Sequence, residues 1–491
     1  MRDKLQCWSD SLIGKVGFSF TAPAMEAVAH AILTYKNKQN IDVICLGYDQ
    51  RYLADELSLY LAECLANMGV PVKLVDGSSP IFLISWFANQ IDKGTTSLGV
   101  YIGGDAAPMG LLSVSFRNTD GSPFTSEQTK GLYNDYLYYH RGNFEFVDRR
   151  REIEYADLRD GYAQWLIDTL SLQEYPNKPT LIVGIDYLTS PSQPYLQALF
   201  SRMNVGISSV PHQFYDRLII NKQLRPDPSG WALQYGFKTF GAKRINFAFD
   251  GDGDCLGLYD GEEECEISPS AMFIILLHYF AKIKKRRGTI LIDKAVSDRV
   301  TTIAENYGMA VEYVNNGLAG LSEKLKQPRK RPALMYGDAY GGFWFKGLPL
   351  DRNPFAALLF LLEACVKSDL SPSKLYDTIV DNQLNNNYFY GKVDIYPKQV
   401  DFDHLFEFLQ VKDVEIGAHK IIDVVPGEVV DSTYFTAHTM KLDNDSRIVI
   451  QSNPKNDFIE LYVESNDKET MYEIMGNVQN RIYISDLKLI S

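Results

Sequence analysis

The chain has 491 residues, which at about 150 per domain makes three or four domains, and with 45% apolar and 23% charged residues it is neither disordered nor fibrous. Lys and Arg total 49 against 62 Asp and Glu, and the resulting charge of −13 suits neither nucleic acid nor an anionic membrane as partner. No apolar run reaches the roughly 18 residues of a membrane-spanning helix, and Met1-Arg-Asp-Lys-Leu-Gln-Cys7 has no apolar signal core, so membrane insertion is not expected and the cytoplasm is. Along the chain one unit recurs three times. Apolar runs at 43–47, 181–185 and 289–292 read as parallel strands buried on both faces. Each is followed by a helix-period stretch (54–68, 192–203, 298–307), then a second strand (70–75, 206–210, 309–314), then a third (98–102, 245–249, 333–336). Strand, helix, strand, crossover, strand predicts three related α/β sandwich domains, each with a mostly parallel sheet. From about Tyr388 the pattern changes to shorter alternating strands (391–396, 447–450, 458–463) and helices (403–409, 468–479), with a turn at Ser452-Asn-Pro-Lys-Asn456. This predicts a smaller α+β domain. The expected joints give domains at 1–154, 155–262, 263–380 and 381–491.

The third strand of each unit runs into a Gly/Asp loop: Gly103-Gly-Asp105, Asp250-Gly-Asp-Gly-Asp254 and Gly337-Asp-Ala-Tyr-Gly-Gly342. Ligands of open parallel sheets bind beyond the carboxyl ends of the strands, so the three loops are expected to face one central cleft. The acidic loop is the sharpest chemical feature. Carboxylates at i, i+2 and i+4 around two glycines can converge, and their mutual repulsion calls for a cation. Oxygen ligands with no histidine nearby suit magnesium, manganese or calcium. An EF-hand does not fit, because Cys255 and Gly261 occupy its sixth and twelfth positions. The competing view is a solvated Asp/Gly turn. The six scattered cysteines include no C-x-x-C pair, against zinc and a disulfide framework. The basic clusters at 284–287 and 329–331 read first as solvated ends, second as a partner surface.

These residues, in this order, resemble the α-D-phosphohexomutase superfamily over nearly the whole chain. The resemblance rests on Phe20-Thr21, Gly47-Tyr-Asp-Gln-Arg51, Asn67-Met-Gly-Val70, Pro226-Asp-Pro228, Asp250–Asp254 and Tyr462-Val-Glu464. It implies four domains around a cleft and interconversion of hexose 1- and 6-phosphates through a phosphoserine, with Mg2+ held by the acidic loop. The chemistry-bearing positions depart from that pattern. The serine position holds Asp105, and positions where the family carries cations hold Ile13, Ser115, Cys255, Ala319 and Gln451. The sugar loop becomes Gly337-Asp338-Ala-Tyr340-Gly341, and the phosphate loop holds Pro454, which has no N–H, beside one remaining cation, Lys455.

Phosphoryl transfer needs cations around the moving dianion. Their loss predicts a catalytically inactive fold that serves as a binding, regulatory or assembly module for a protein partner. The alternative is a divergent metal-dependent mutase on a phosphosugar. The expected metal ligands are Asp250, Asp252, Asp254 and Asp105, and Asp338, Tyr340 and Lys455 are the expected substrate contacts. Asp105 reads as an inert stand-in for phosphoserine, as a phosphorylated aspartate, or as a plain loop acid. Ser113 and Ser115 read as ordinary strand serines before they read as a relocated nucleophile, and Tyr340 and Trp344 as cleft filling before ligand cover.

Overall fold

The computed structural model describes residues 4–8, 10–91, 94–104, 110–142, 151–171, 181–210, 237, 242–315, 317–384, 389–395, 402–409, 414–427, 436–453 and 458–487. The first sheet comprises β1 (Gln6–Trp8), β2 (Ser11–Lys15), β3 (Val43–Tyr48), β4 (Val72–Val75), β5 (Ser97–Gly103), β6 (Leu111–Arg117) and β7 (Glu154–Ala156). The second comprises β8 (Ile182–Asp186), β9 (Gly206–Ser209), β10 (Ile245–Phe249), β11 (Leu256–Asp260) and β12 (Cys265–Ile267). The third comprises β13 (Thr289–Asp293), β14 (Ala310–Val314), β15 (Ala333–Gly337) and β16 (Phe343–Phe345).

The repeat read from the sequence is present in the strand order. The segments β6-β5-β3-β4, β11-β10-β8-β9 and β16-β15-β13-β14 follow one plan. In each, the first strand of the unit pairs in parallel with the second and third. A fourth strand then folds back antiparallel on the third. The inner parallel strands are buried on both faces, Val43–Leu46 and Ile245–Phe249 wholly so, whereas the edge strands Gly206–Ser209 and Ala310–Val314 are partly exposed. The antiparallel return strand matters for the site, because it turns each Gly/Asp loop into the tip of a hairpin. The first and second sheets close with Glu154–Ala156 and Cys265–Ile267, a few residues past the joints at 154 and 262.

The fourth domain is a six-stranded antiparallel sheet: β17 (Phe389–Ile395), β18 (Glu415–Ile416), β19 (His419–Val425), β20 (His438–Leu442), β21 (Arg447–Asn453) and β22 (Phe458–Ser465). Helices Phe402–Leu409 and Lys468–Leu487 accompany it. It has its own apolar core, which includes Leu461, Val463, Ile474 and Val478. The first domain also has a core of its own, which includes Val28, Ile44, Leu61 and Val100, and a further continuous core joins the first three domains, running from Phe82 through Tyr162, Val183 and Phe249 to Phe355. Phe355 is its hub, with ring centroids 5.2 Å from Phe82, 6.2 Å from Tyr162 and 5.6 Å from Phe249. Its helix, Pro354–Ser368, is fixed at the start by Asn353, whose Oδ1 accepts from Ala356 N at 2.9 Å, and by Pro354 at its first position. Among the described residues no helix is long and apolar enough to cross a membrane.

Candidate active site

The acidic loop is the tip of the β10–β11 hairpin, where Phe249 pairs with Leu256. Asp250 shapes the tip: its Oδ1 accepts from Asp254 N at 2.9 Å and Cys255 N at 3.0 Å. Gly253 adopts φ +73°, and a Cβ there would lie 2.7 Å from Ser192 Oγ and 3.0 Å from Pro80 Cβ, so only glycine passes. The tip also presses on the first domain, where Ile81 N donates to Asp252 O at 3.0 Å. Asp250, Asp252 and Asp254 are all buried.

The third-domain loop repeats the device. Asp338 Oδ1 accepts from Tyr340 N and Gly342 N, each at 2.9 Å, at the tip of the β15–β16 hairpin. The two tips touch through Leu256 N and Gly341 O at 3.0 Å. In the first domain Gly104 N donates to Asp49 Oδ2 at 2.8 Å. The Arg51 guanidinium lies across that glycine, where a Cβ would sit 2.0 Å from its Cζ. Asp105 and Lys455 lie outside the described residues, as does Pro226-Asp-Pro228.

The cations of the site are not where the sequence comparison looked for them. Arg352, just before the Pro354–Ser368 helix, is largely buried and bridges two domains. Its Nη1 lies 2.8 Å from Asp254 Oδ2 and its Nη2 2.8 Å from Asp338 Oδ2. Burial disfavours its charge, but Asp254 and Asp338 outweigh that and hold it more firmly protonated than an ordinary arginine. One residue earlier, Asp351 pairs with Arg117 of β6 at 2.7 Å. Arg117–Asp351–Arg352–Asp254/Asp338 is therefore a continuous buried chain of charges through three domains. The expected cation-poor cleft is corrected accordingly: the interior holds arginines, and they are committed to carboxylates.

Asp250, Asp254 and Cys255 each offer an atom within 4.8 Å of the others, a trio from which Asp252 is missing. The trio fits a hard divalent ion poorly. Asp254 Oδ2 is taken by Arg352, and its Oδ1 accepts from the Cys255 thiol at 3.0 Å. Burial, and then the Asp254 and Asp250 charges, raise that thiol well above its usual range, so it is a protonated sulfur where magnesium needs oxygen.

The fourth domain closes on the third. Arg447 Nη1 donates to Val296 O at 3.0 Å and pairs with Asp298 at 3.3 Å, and Nη2 reaches Lys294 O. Tyr340 Oη donates to Glu460, and Gln451 Nε2 donates to Tyr340 Oη at 3.0 Å and to Glu460 Oε2 at 2.9 Å. Lys392 pairs with Glu460 at 3.2 Å. Tyr340 thus spans the cleft between the two domains. Trp344 packs in a core and donates to Leu348 O at 3.4 Å. Ser113 donates to Gly103 O at 2.9 Å, and both it and Ser115 are buried strand residues.

Residues 7–140 match the family model for phosphoglucomutase/phosphomannomutase, α/β/α domain I. Solved structures of the same architecture cover nearly the whole chain. A Thermus thermophilus protein described as a phosphomannomutase superposes with a TM-score of 0.77 at 16% identity, over 98% of this chain and 99% of its own. A phosphoglucomutase/phosphomannomutase family protein from Burkholderia thailandensis gives 0.73 at 18% identity, over 97% of each chain. The open form of parafusin, a Paramecium phosphoglucomutase, gives 0.73 at 14% identity, over 98% and 96%. No curated protein matches by sequence. The chain therefore carries the phosphohexomutase fold from end to end, and with its first domain matched by sequence this supports the phosphohexomutase superfamily.

Proposed function

We propose that this protein is a phosphohexomutase fold without mutase activity, working in the cytoplasm as a binding, regulatory or assembly module for a protein partner. The observation that supports this most strongly is Glu460. A mutase must place cations around a phosphate dianion in the cleft between its third and fourth domains. Here that place holds a fully buried carboxylate, bonded to Gln451 and Tyr340 and paired with its local cation, Lys392. Lys392 is thereby committed to a carboxylate instead of being held out to an entering phosphate.

The divergent mutase has one observation in its favour: Asp250 and Asp254 still converge on one point, as a Mg2+ site requires. When bound, such an ion would neutralise developing phosphoryl charge. Activity separates the two readings. The full-length protein is incubated with glucose 1-phosphate, mannose 1-phosphate or glucosamine 6-phosphate, with magnesium and a sugar bisphosphate, and followed by phosphorus NMR. No interconversion is expected. Turnover that Asp105→Ala abolishes would sink the proposal.

A further inference from the structure

We propose that the guanidinium of Arg352 is the resident cation of the acidic loop, balancing its carboxylates in place of a divalent metal ion and clamping the second domain to the third. Several independent features carry this. The two contacts are both 2.8 Å, and they reach carboxylates of different domains, Asp254 and Asp338. The backbone beneath Arg352 is fixed on both sides. Its own N–H donates to Asp351 Oδ1 at 2.9 Å, and the next residue, Asn353, caps the central helix. Asp351 in turn is anchored to Arg117 in the first domain.

The space for the guanidinium depends on a glycine. A Cβ on Gly342 would lie 2.3 Å from Arg352 Nε and 2.6 Å from Asp338 Oδ2. The hairpin tip of the third domain is therefore shaped around this side chain. An entering divalent ion would have to displace the guanidinium from Asp254 or share a buried carboxylate with it against like-charge repulsion. It would also find a buried thiol at Cys255, which serves a hard ion badly. The arginine does the ion's electrostatic work with fixed geometry and no dependence on solution metal.

The test uses the full-length protein stripped with EDTA. Manganese binding is followed by electron paramagnetic resonance, and thermal unfolding is compared with and without millimolar magnesium. The wild type is expected to bind no manganese at the loop and to melt at one temperature in both buffers. Arg352→Gln removes the cation and is expected to melt lower in EDTA, to recover with magnesium and to bind one manganese. Arg352→Lys keeps a charge and is expected to stay metal-independent. A wild-type manganese site lost in Asp252→Asn would overturn the proposal, as would an Arg352→Gln protein indifferent to metal. Should Arg352→Gln fail to fold, the wild-type manganese titration decides alone. The inference stands apart from the functional proposal. Turnover persisting in EDTA would refute the module and leave Arg352 as the cation, whereas metal binding without turnover would do the reverse.

Discussion

Replacing Asp351 tests whether the buried charge chain holds the first and third domains together. Arg117 and Asp351 are both almost fully buried and 2.7 Å apart, and they lie 234 positions apart in the sequence. Removing one partner of such a pair costs about 3–5 kcal/mol, because the other charge stays buried. The two single variants should not cost the same. In Asp351→Ala, Arg117 keeps the Ser85 hydroxyl at 3.2 Å, the Phe116 carbonyl at 3.1 Å and one carboxylate, Asp10, at 3.4 Å, so the loss falls near the lower limit, about 3 kcal/mol. In Arg117→Met, Asp351 keeps the Ser85 hydroxyl and the Arg352 N–H at 2.9 Å, neither of which carries a positive charge, so a larger loss of about 4 kcal/mol is expected. The double variant Arg117→Met/Asp351→Ala leaves neither member of the pair charged and should fall well short of the sum, with a coupling energy of about 2 kcal/mol. Urea unfolding reads this out through Trp86, which sits in the shared core against Tyr162 at 5.3 Å. Single-variant losses that simply add in the double variant would show that the two side chains do not meet, and the domain arrangement argued from them would fall.

Asp293 gives a pH signature. Burial, reinforced by the Asp338 and Glu460 charges, raises its carboxyl to about 6, against the hydrogen bond from Ala295 N and the attraction of Arg352. An acid raised in the folded state costs nothing below its unfolded value near 4, and the cost grows until it is complete above about 6. Asp293→Asn keeps an acceptor for Ala295 and should stabilise the protein at pH 7–8 by at most about 3 kcal/mol, reduced by the carboxyl's partial exposure, with no gain below pH 4. A gain that does not change with pH would rule the explanation out. Gly341→Ala probes the contact between the two hairpin tips. Its φ of +88° costs a side chain about 1–2 kcal/mol, and the new Cβ would lie 2.2 Å from Leu256 O, so the variant should lose more than that in urea. A near-neutral result would mean that the tips are not in contact.

The repeat was legible because its signal is local. Doubly apolar strands such as Val43–Leu46 and Ile245–Phe249 announce themselves, and the observed strands match the expected ones to within a few residues. Of the return strands only the first was glimpsed, as the strand carrying Ser113 and Ser115, and its antiparallel pairing was not read. Leu111–Arg117 and Leu256–Asp260 carry polar residues buried by tertiary contacts, Arg117 above all, so their composition does not mark them as core. Without them the Gly/Asp loops look like open strand ends rather than hairpin tips. The cations were missed for a related reason. Comparison with a family pattern asks what stands at the family's own positions, and there the charges are indeed absent. Arg352 lies 14 residues beyond Asp338 and approaches the site from the start of another helix, a path that only the fold reveals. Its one local trace is Asp351-Arg-Asn-Pro354, a charged pair directly before a capping residue and a helix-starting proline.

The acidic loop also has a reason to exist that owes nothing to metal. Asp250 and Asp338 occupy equivalent hairpin tips, and in both a single carboxylate oxygen gathers two backbone N–H groups that the turn would otherwise leave buried and unsatisfied. The first acid of Asp250–Asp254 is therefore required to make the turn, whatever the loop binds. The glycine at 253 is required by the crowding of Ser192 and Pro80. Of the other two acids, Asp254 is spent on Arg352. A motif that in sequence looks like three ligands around one ion is, in the folded chain, one turn-former, one acid of the interdomain clamp, and one whose backbone carbonyl docks the first domain. The same reasoning separates the two substitutions most worth making in the loop. Asp250→Asn keeps an oxygen acceptor and should preserve the turn, whereas Asp254→Asn removes the charge that Arg352 answers and should loosen the second domain from the third.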